Sequence, residues 1–492
     1  MYRVVAIVGL IILSMLAAGC AAASAARPTA SAVHVWTATP TASPTATALL
    51  PSATATATGT PVSTAAPAAA AAGPTVDSAA FHGEGALAFA RGGQIDILDG
   101  TAGTLTTIAG PPDSSGTARA WSPKWSPDGQ WLAFLRLDQP RQFALDGDLW
   151  IARRDGRGAH AVVGISGRVG PVGFAWSPTA DVVVAAGETA GLWAVSPTGS
   201  AHLLAAGATR VWSLAWSADG QMLAYVVTRP DPSPPDRSDV LYTVPAAGGT
   251  STQRLVAKQD GMIMAGQWPN GRGLLFWSDP GHSASLLADG EPLERLTQGS
   301  RGVGELTFLG APSRNLLQML ARPAWVAWAP DEQHFALVVG GGRDALSDKA
   351  LALCDGQTWT CRLPPRPAGT VSLDPAWSPD GSHLAFVQAT ASPANVAASD
   401  TASWFATHHL WVANADGSGA KELTSAGSGV EAPAWSRDGQ HLLYVRDDAV
   451  WLVDVTGGAP TRIVDLRANG ASPPVENDHG WNDWSLALAW QR

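Results

Sequence analysis

Cysteine is nearly absent from this chain, with three residues in 492 and no C-x-x-C pair, which excludes a disulfide-dense scaffold and a cysteine-built zinc fold. Charge is also sparse at 15%, and 31 basic against 41 acidic residues leave a formal net charge of -10. Such a balance offers no electrostatic footprint for nucleic acid or for an anionic membrane surface. The familiar catalytic strings are missing too: there is no G-x-S-x-G, no H-E-x-x-H and no G-x-x-x-x-G-K. "GEGALA" at Gly83 loosely copies a dinucleotide fingerprint, without the strand-turn-helix unit that would give it meaning. No cofactor or metal is expected.

Long apolar runs are confined to the N-terminus. Arg3 precedes an apolar stretch from Val4 to about Leu16, too short to span a bilayer stably and closing on "LAAGC". This segment resembles a bacterial lipobox, with Ala17 where Leu is commoner. The resemblance implies that residues 1–19 are a removed signal peptide and that Cys20 carries the lipid. An ordinary signal peptide is the alternative. From residue 20 to about 78 the text is almost entirely Ala, Thr, Pro and Ser, which cannot bury enough surface to offset its ordering entropy. It reads as a tether, and extended Pro-rich backbone at about 3.1 Å per residue would carry a domain up to about 170 Å from its anchor. The expected location is therefore the cell envelope outside the cytoplasmic membrane, with membrane contact only through the lipid.

Tryptophan is abundant where the other aromatics are not: 22 Trp against 10 Phe and 4 Tyr. The excess belongs to a repeat. "KWSPDGQWLAFL" at Lys124, "AWSADGQMLAYV" at Ala215, "AWSPDGSHLAFV" at Ala376 and "AWSRDGQHLLYV" at Ala434 are its clear copies. Weaker ones start at Ala175, Gln267 and Ala327. Each copy is a strand, a tight turn and an apolar second strand, with Asp bonding nearby backbone and Gly accepting positive φ. A third strand with its own turn follows, as in "DLWIARRDG" and "HLWVANADG", and then a short fourth. Marker tryptophans recur at intervals of about 40 to 60 residues, which fits four-stranded blades with loop insertions.

The expected fold over residues 79–492 is thus an all-β, single β-propeller of four-stranded antiparallel blades. The first blade, read from "GALAFARGG" at Gly85, lacks an inner strand, and "LALAW" at Leu486 carries the matching text. Pairing these two segments closes an eight-bladed ring; a seven-bladed ring with one misread unit is the alternative. The stretch from Gln298 to Leu320 is either an insertion or holds the third and fourth strands of its blade, "GELTFLG" and "RNLLQML", displacing "SLLADG" into a loop.

The "WSPDG" repeats with "LWV" third strands resemble those of TolB-like proteins over most of residues 80–492. That resemblance implies the propeller architecture and little about activity. The same repeat serves periplasmic TolB, the gating domains of prolyl-oligopeptidase-type and tricorn proteases, and many lipid-anchored bacterial propellers.

Candidate site residues are few. Asp128, Asp219, Asp380 and Asp438 occupy one turn position in four blades, and His334, His383 and His441 share another, so repetition makes both sets structural. Cys354 and Cys361 flank a turn between a third and a fourth strand and are expected to form a disulfide outside the cytoplasm; reduced thiols are the alternative. The segment "ENDHGWNDWS", holding His479, Trp481, Asp483 and Trp484, precedes the last strand, and Asp374, Glu431, Trp212 and Trp325 precede inner strands of other blades. These positions fall where propeller loops ring the central channel. Carboxylates beside indoles suit a cation, a sugar or a basic peptide; a hydrogen-bonded latch securing the ring is the other reading. The expected role is a monomeric, non-enzymatic binding or scaffold protein for an envelope protein, peptide or glycan. Alternatives are a hydrolase or lyase using Asp374, Glu431, His479 and Asp483, and a sensor or quality-control subunit.

Overall fold

The computed structural model describes residues 76–108, 118–138, 146–162, 169–170, 173–186, 191–230, 237–256, 326–339, 349–356, 360–392, 401–424, 429–467, 476–478 and 481–491, with short strands between 263 and 304. Cys20, Trp268, Trp325 and His479 lie outside the described residues, and Trp481 is described only in its backbone.

Among the described residues there are eight four-stranded antiparallel sheets. Seven are contiguous in the chain. The second blade, for instance, runs Arg119–Trp125, Trp131–Leu137, Asp148–Arg153 and His160–Ala161, and the eighth runs Glu431–Trp435, His441–Arg446, Ala449–Asp454 and Thr461–Asp465. The first is composite. Its strands Ala86–Arg91, Gln94–Asp99 and Thr104–Thr107 are completed by Leu488–Gln491, with Phe89 opposite Leu488 and Leu87 opposite Trp490. Only part of "LALAW" is strand, because Trp484–Leu486 forms a 3-10 turn that delivers the chain to the sheet. The fifth blade takes Ser283–Ala288 as its third strand, deciding between the two readings of that region; its inner strand is Ile263–Ala265.

Second and third strands are buried almost throughout because each blade is sandwiched between neighbours, so their text is a continuous apolar run rather than an alternation. The cluster around Phe89 and Ile97 joins Leu132, Phe134 and Trp150 of the second blade to Leu443, Val445 and Leu452 of the eighth. Chain ends are thereby packed into one core. At about 1.5–3 kcal/mol for each fully buried large side chain, this joint contributes as much as any other in the ring.

The turn between first and second strands explains the repeat's polar letters. Ser126 Oγ donates to Asp128 Oδ1 (2.6 Å) and accepts from Trp131 N–H (3.0 Å), while Asp128 also accepts from Gln130 N–H (2.9 Å). Ser217 with Asp219, Ser378 with Asp380 and Ser436 with Asp438 repeat the arrangement. The turn glycine is constrained twice. Gly129 and Gly220 have φ of 67° and 68°, and a Cβ at either would collide with the preceding blade, at Gln491 and at Thr179.

Tryptophan joins one blade to the next. Trp176 donates its indole N–H to the Lys124 carbonyl (2.8 Å), Trp377 to Ala327 (3.0 Å) and Trp435 to Ala376 (2.8 Å). Every acceptor is the residue just before the marker tryptophan of the preceding blade. Trp125 follows the same rule by donating to Ala489 (3.1 Å), the residue before Trp490. The C-terminal strand therefore occupies the inner position of a regular blade.

Three features exceed the repeat. Val76 bridges Val464, and Asp77 N–H donates to the Ile463 carbonyl (2.8 Å), so the N-terminal segment covers the outer edge of the eighth blade. The insertion after Thr228 is partly a ladder, since the second and third strands of the fourth blade pair out to Pro230 and Arg237. The insertion after Ala389 carries a short helix, Thr401–Phe405, whose buried Trp404 donates to the Thr390 carbonyl (2.8 Å) and packs edge-on against His408 at 4.3 Å. Burial pushes His408 down to about 3 and keeps it neutral.

Deleting residues 486–492 should expose the first blade's edge and its half of the core, and lower the melting temperature of the whole domain in one cooperative transition. Trp125→Phe, which removes the indole donor to the Ala489 carbonyl, should cost about 0.5–1.5 kcal/mol in urea denaturation.

Candidate functional site

Three inner strands begin with the same irregularity. The ladder slips between Trp121 and Lys124, between Leu373 and Ala376, and between Glu431 and Ala434. In each slip the residue three before the marker tryptophan is left-handed: Ser122 (φ 54°), Asp374 (φ 49°) and Ala432 (φ 48°). A proline follows every one of them. Proline has no N–H for the ladder, so a bulge forms there, and it re-aims the side chains at the head of the strand.

The bulges of the seventh and eighth blades bring Asp374 and Glu431 together. Asp374 Oδ2 accepts from Ala432 N–H (3.2 Å), tying one bulge to the next. Glu431 accepts from the Asn482 side-chain amide (2.7 Å), which ties the eighth blade to the segment leading into the closing strand. Although part of Glu431 is accessible, its carboxyl is enclosed, and burial followed by the Asp374 charge pushes it up to about 8. The Asn482 amide and the neighbouring Trp484 indole oppose that shift. The Trp484 ring is buried, and its N–H stands near Glu431 without reaching hydrogen-bond geometry. Glu431 thus keeps its proton at neutral pH.

Asp483 faces another way. It caps the 3-10 turn, accepting from Ser485 N–H (3.0 Å) and Ser485 Oγ (2.6 Å). Its charge also acts on Lys124, whose ammonium donates to the Phe174 carbonyl (2.9 Å) and lies 4.1 Å from the Phe174 ring centre. Enclosure pushes Lys124 down to about 8, with Asp483 holding it up. A lysine in place of the repeat's usual alanine before "WSPDG" was the signal that marks this position, and sequence reasoning passed over it together with Asn482.

Trp212 is engaged elsewhere. Its indole N–H donates to the buried carboxylate of Asp239 (3.2 Å), which also accepts from Thr228 Oγ1 (2.8 Å). The repeated histidines stay apart in their own blades, His334 on Asp331 (2.6 Å), His383 beside Ser382 (2.6 Å) and His441 on Glu84 (2.8 Å). Among the described residues no three His, Cys, Asp or Glu side chains gather at one point. Cys354 and Cys361 face each other across the third and fourth strands of the sixth blade and are disulfide-bonded.

No protein-family model matches the chain, and no curated protein matches it. Among solved structures, it is similar to dipeptidyl peptidase 4 of Porphyromonas gingivalis at 11% identity and TM-score 0.50, over 79% of this chain and 62% of that one. It is similar to oligogalacturonate lyase of Vibrio parahaemolyticus at 13% identity and TM-score 0.42 (67% and 88% covered), and to TolB of Acinetobacter baumannii at 16% identity and TM-score 0.33 (72% and 66% covered). At these identities the likeness is one of fold, the β-propeller, and extends no further.

Glu431 offers a direct check of the electrostatics. Its folded-state value lies above that of an unfolded glutamate, so its favourable contribution is complete below about pH 4.5 and is lost as pH rises towards 8. Glu431→Gln, which keeps an oxygen for Asn482, should remove that slope. Between pH 5 and pH 8 the variant's stability relative to wild type should climb by about 1.4 kcal/mol per pH unit, read from urea denaturation.

Proposed function

We propose that the protein is a lipid-anchored, extracytoplasmic binding or scaffold propeller that presents its channel face to an envelope protein, peptide or glycan without transforming it. The observation that carries this reading is how the channel-side carboxyls are used. Asp374 secures the Ala432 bulge, Asp483 caps the closing turn, and Glu431 accepts from the Asn482 amide. Each group stabilises the frame, so the ring is rigid at the face where a ligand would rest, which lowers the entropic cost of binding. The lipobox-like "LAAGC" and the Ala, Thr, Pro and Ser tether support display on a membrane surface through Cys20.

A second reading rests on one observation. A carboxyl that is protonated near neutral pH suits general acid catalysis, and Glu431 beside Asp374 is such a group. In that case the propeller is a hydrolase or lyase acting at the same face.

The two readings separate in one assay. Full-length protein, purified in detergent, is screened on peptide and glycan arrays, and every bound compound is then incubated with it and analysed by mass spectrometry. Binding with no chemical change is the expected outcome; product formation abolished by Glu431→Gln would establish the enzyme instead. Metabolic labelling with a palmitate analogue should mark the wild-type protein and not Cys20→Ala.

A further inference from the structure

Away from the Asp374–Glu431 pair, a crevice of about 590 Å3 lies along the fourth blade where the third blade's outer strand leads into it. That volume is in the range of sites for small organic ligands. Its floor is a cross-strand tyrosine pair. Tyr225 and Tyr242 stack with ring centres 5.4 Å apart and planes 17° from parallel. Tyr225 is buried and its hydroxyl donates to Ser251 Oγ (2.7 Å), which holds the lower ring still; Tyr242 is half-buried above it. Only four tyrosines occur in the chain, and at the position of Tyr242 the second, seventh and eighth blades carry Trp150, Trp411 and Trp451 opposite an aromatic residue, while the first carries Asp96.

The walls are polar. Thr250 and Ser251 line one side, and Thr228 the other. Arg210 stands at the rim, exposed and left-handed (φ 54°). Among the described residues no ion pair joins it to a carboxylate, whereas Arg91 pairs with Asp96 and Arg154 with Asp99. Glycines at two corners keep the space open, since a Cβ on Gly207 or Gly249 would meet nothing within 4 Å.

An aromatic platform takes the apolar face of a flat ring, hydroxyl-bearing walls take its hydroxyls, and a guanidinium at the rim takes a carboxylate in a two-pronged hydrogen bond. We propose that this inter-blade crevice is a binding site for an acidic saccharide, with a sugar ring stacked on the Tyr225–Tyr242 pair and its carboxylate held by Arg210. The crevice shares no lining residue with the Asp374–Glu431 pair, and the proposal does not depend on what that pair does.

Calorimetric titration of the full-length protein in detergent with a glucuronic-acid tetrasaccharide, and with the same tetrasaccharide after carboxyl reduction, tests the assignment. Arg210→Gly removes the guanidinium at a position whose positive φ suits glycine, so folding is retained; Tyr242→Leu removes the platform and keeps an apolar side chain. Arg210→Gly should weaken binding of the acidic sugar about tenfold or more and leave the reduced sugar within about twofold of wild type. Tyr242→Leu should weaken both sugars, with unfolding midpoints confirming that each variant is folded. Absence of acidic-sugar binding up to about 10 mM, or equal binding by wild type and Arg210→Gly, would overturn the proposal.

Discussion

Everything in this molecule depends on one free sheet edge being covered from the far end of the chain. A blade of three strands presents a row of unpaired amides and carbonyls on its inner edge, and it leaves the adjoining blades without an inner strand to pack on. Leu488–Gln491 removes both problems by completing the first sheet, and the Trp125 indole seals the joint on the Ala489 carbonyl. The opposite edge is treated in the same spirit by Val76 and Asp77 on the eighth blade. Two chain segments thus cross the same joint in opposite directions. Glu84 adds to it, accepting from the Trp490 indole through its carbonyl (2.6 Å) and pairing its carboxylate with His441.

The carboxyls at the heads of the inner strands follow from this closure. Asp374, Glu431 and Asn482 lie where the seventh and eighth blades meet the segment that returns to the first, and their hydrogen bonds run across those boundaries. Burying Glu431 is tolerable because it stays neutral, and a neutral acid beside Asp374 avoids the repulsion of two like charges.

Most of the architecture was legible in the sequence because a propeller is built from local pieces. The turn chemistry of Ser126, Asp128 and Gly129, and the apolar second strands, are written within a dozen residues of each other, so the repeat announces itself and the composite first blade follows by subtraction. Contacts lacking a local pattern were not legible. Val76 on the outer edge of the eighth blade is one bridge, and the helix holding Trp404 sits inside an insertion with no period. The candidate site was read in part. Asp374 and Glu431 were found by their place ahead of inner strands, whereas Trp212 occupies a similar place yet turns to a buried aspartate that only the third strand supplies. Lys124 and Asn482 act through partners some 50 residues or more away in sequence, a distance over which no spacing rule operates.

Native-state hydrogen exchange on the intact chain addresses closure most directly. If the C-terminal strand belongs to the ring, amides of Ala86–Arg91 and Leu488–Gln491 exchange with the same free energy as those of the eighth blade, and all of them report global unfolding. Exchange of Leu488–Gln491 and the first blade through a separate, lower-energy opening, with the other blades still protected, would contradict it.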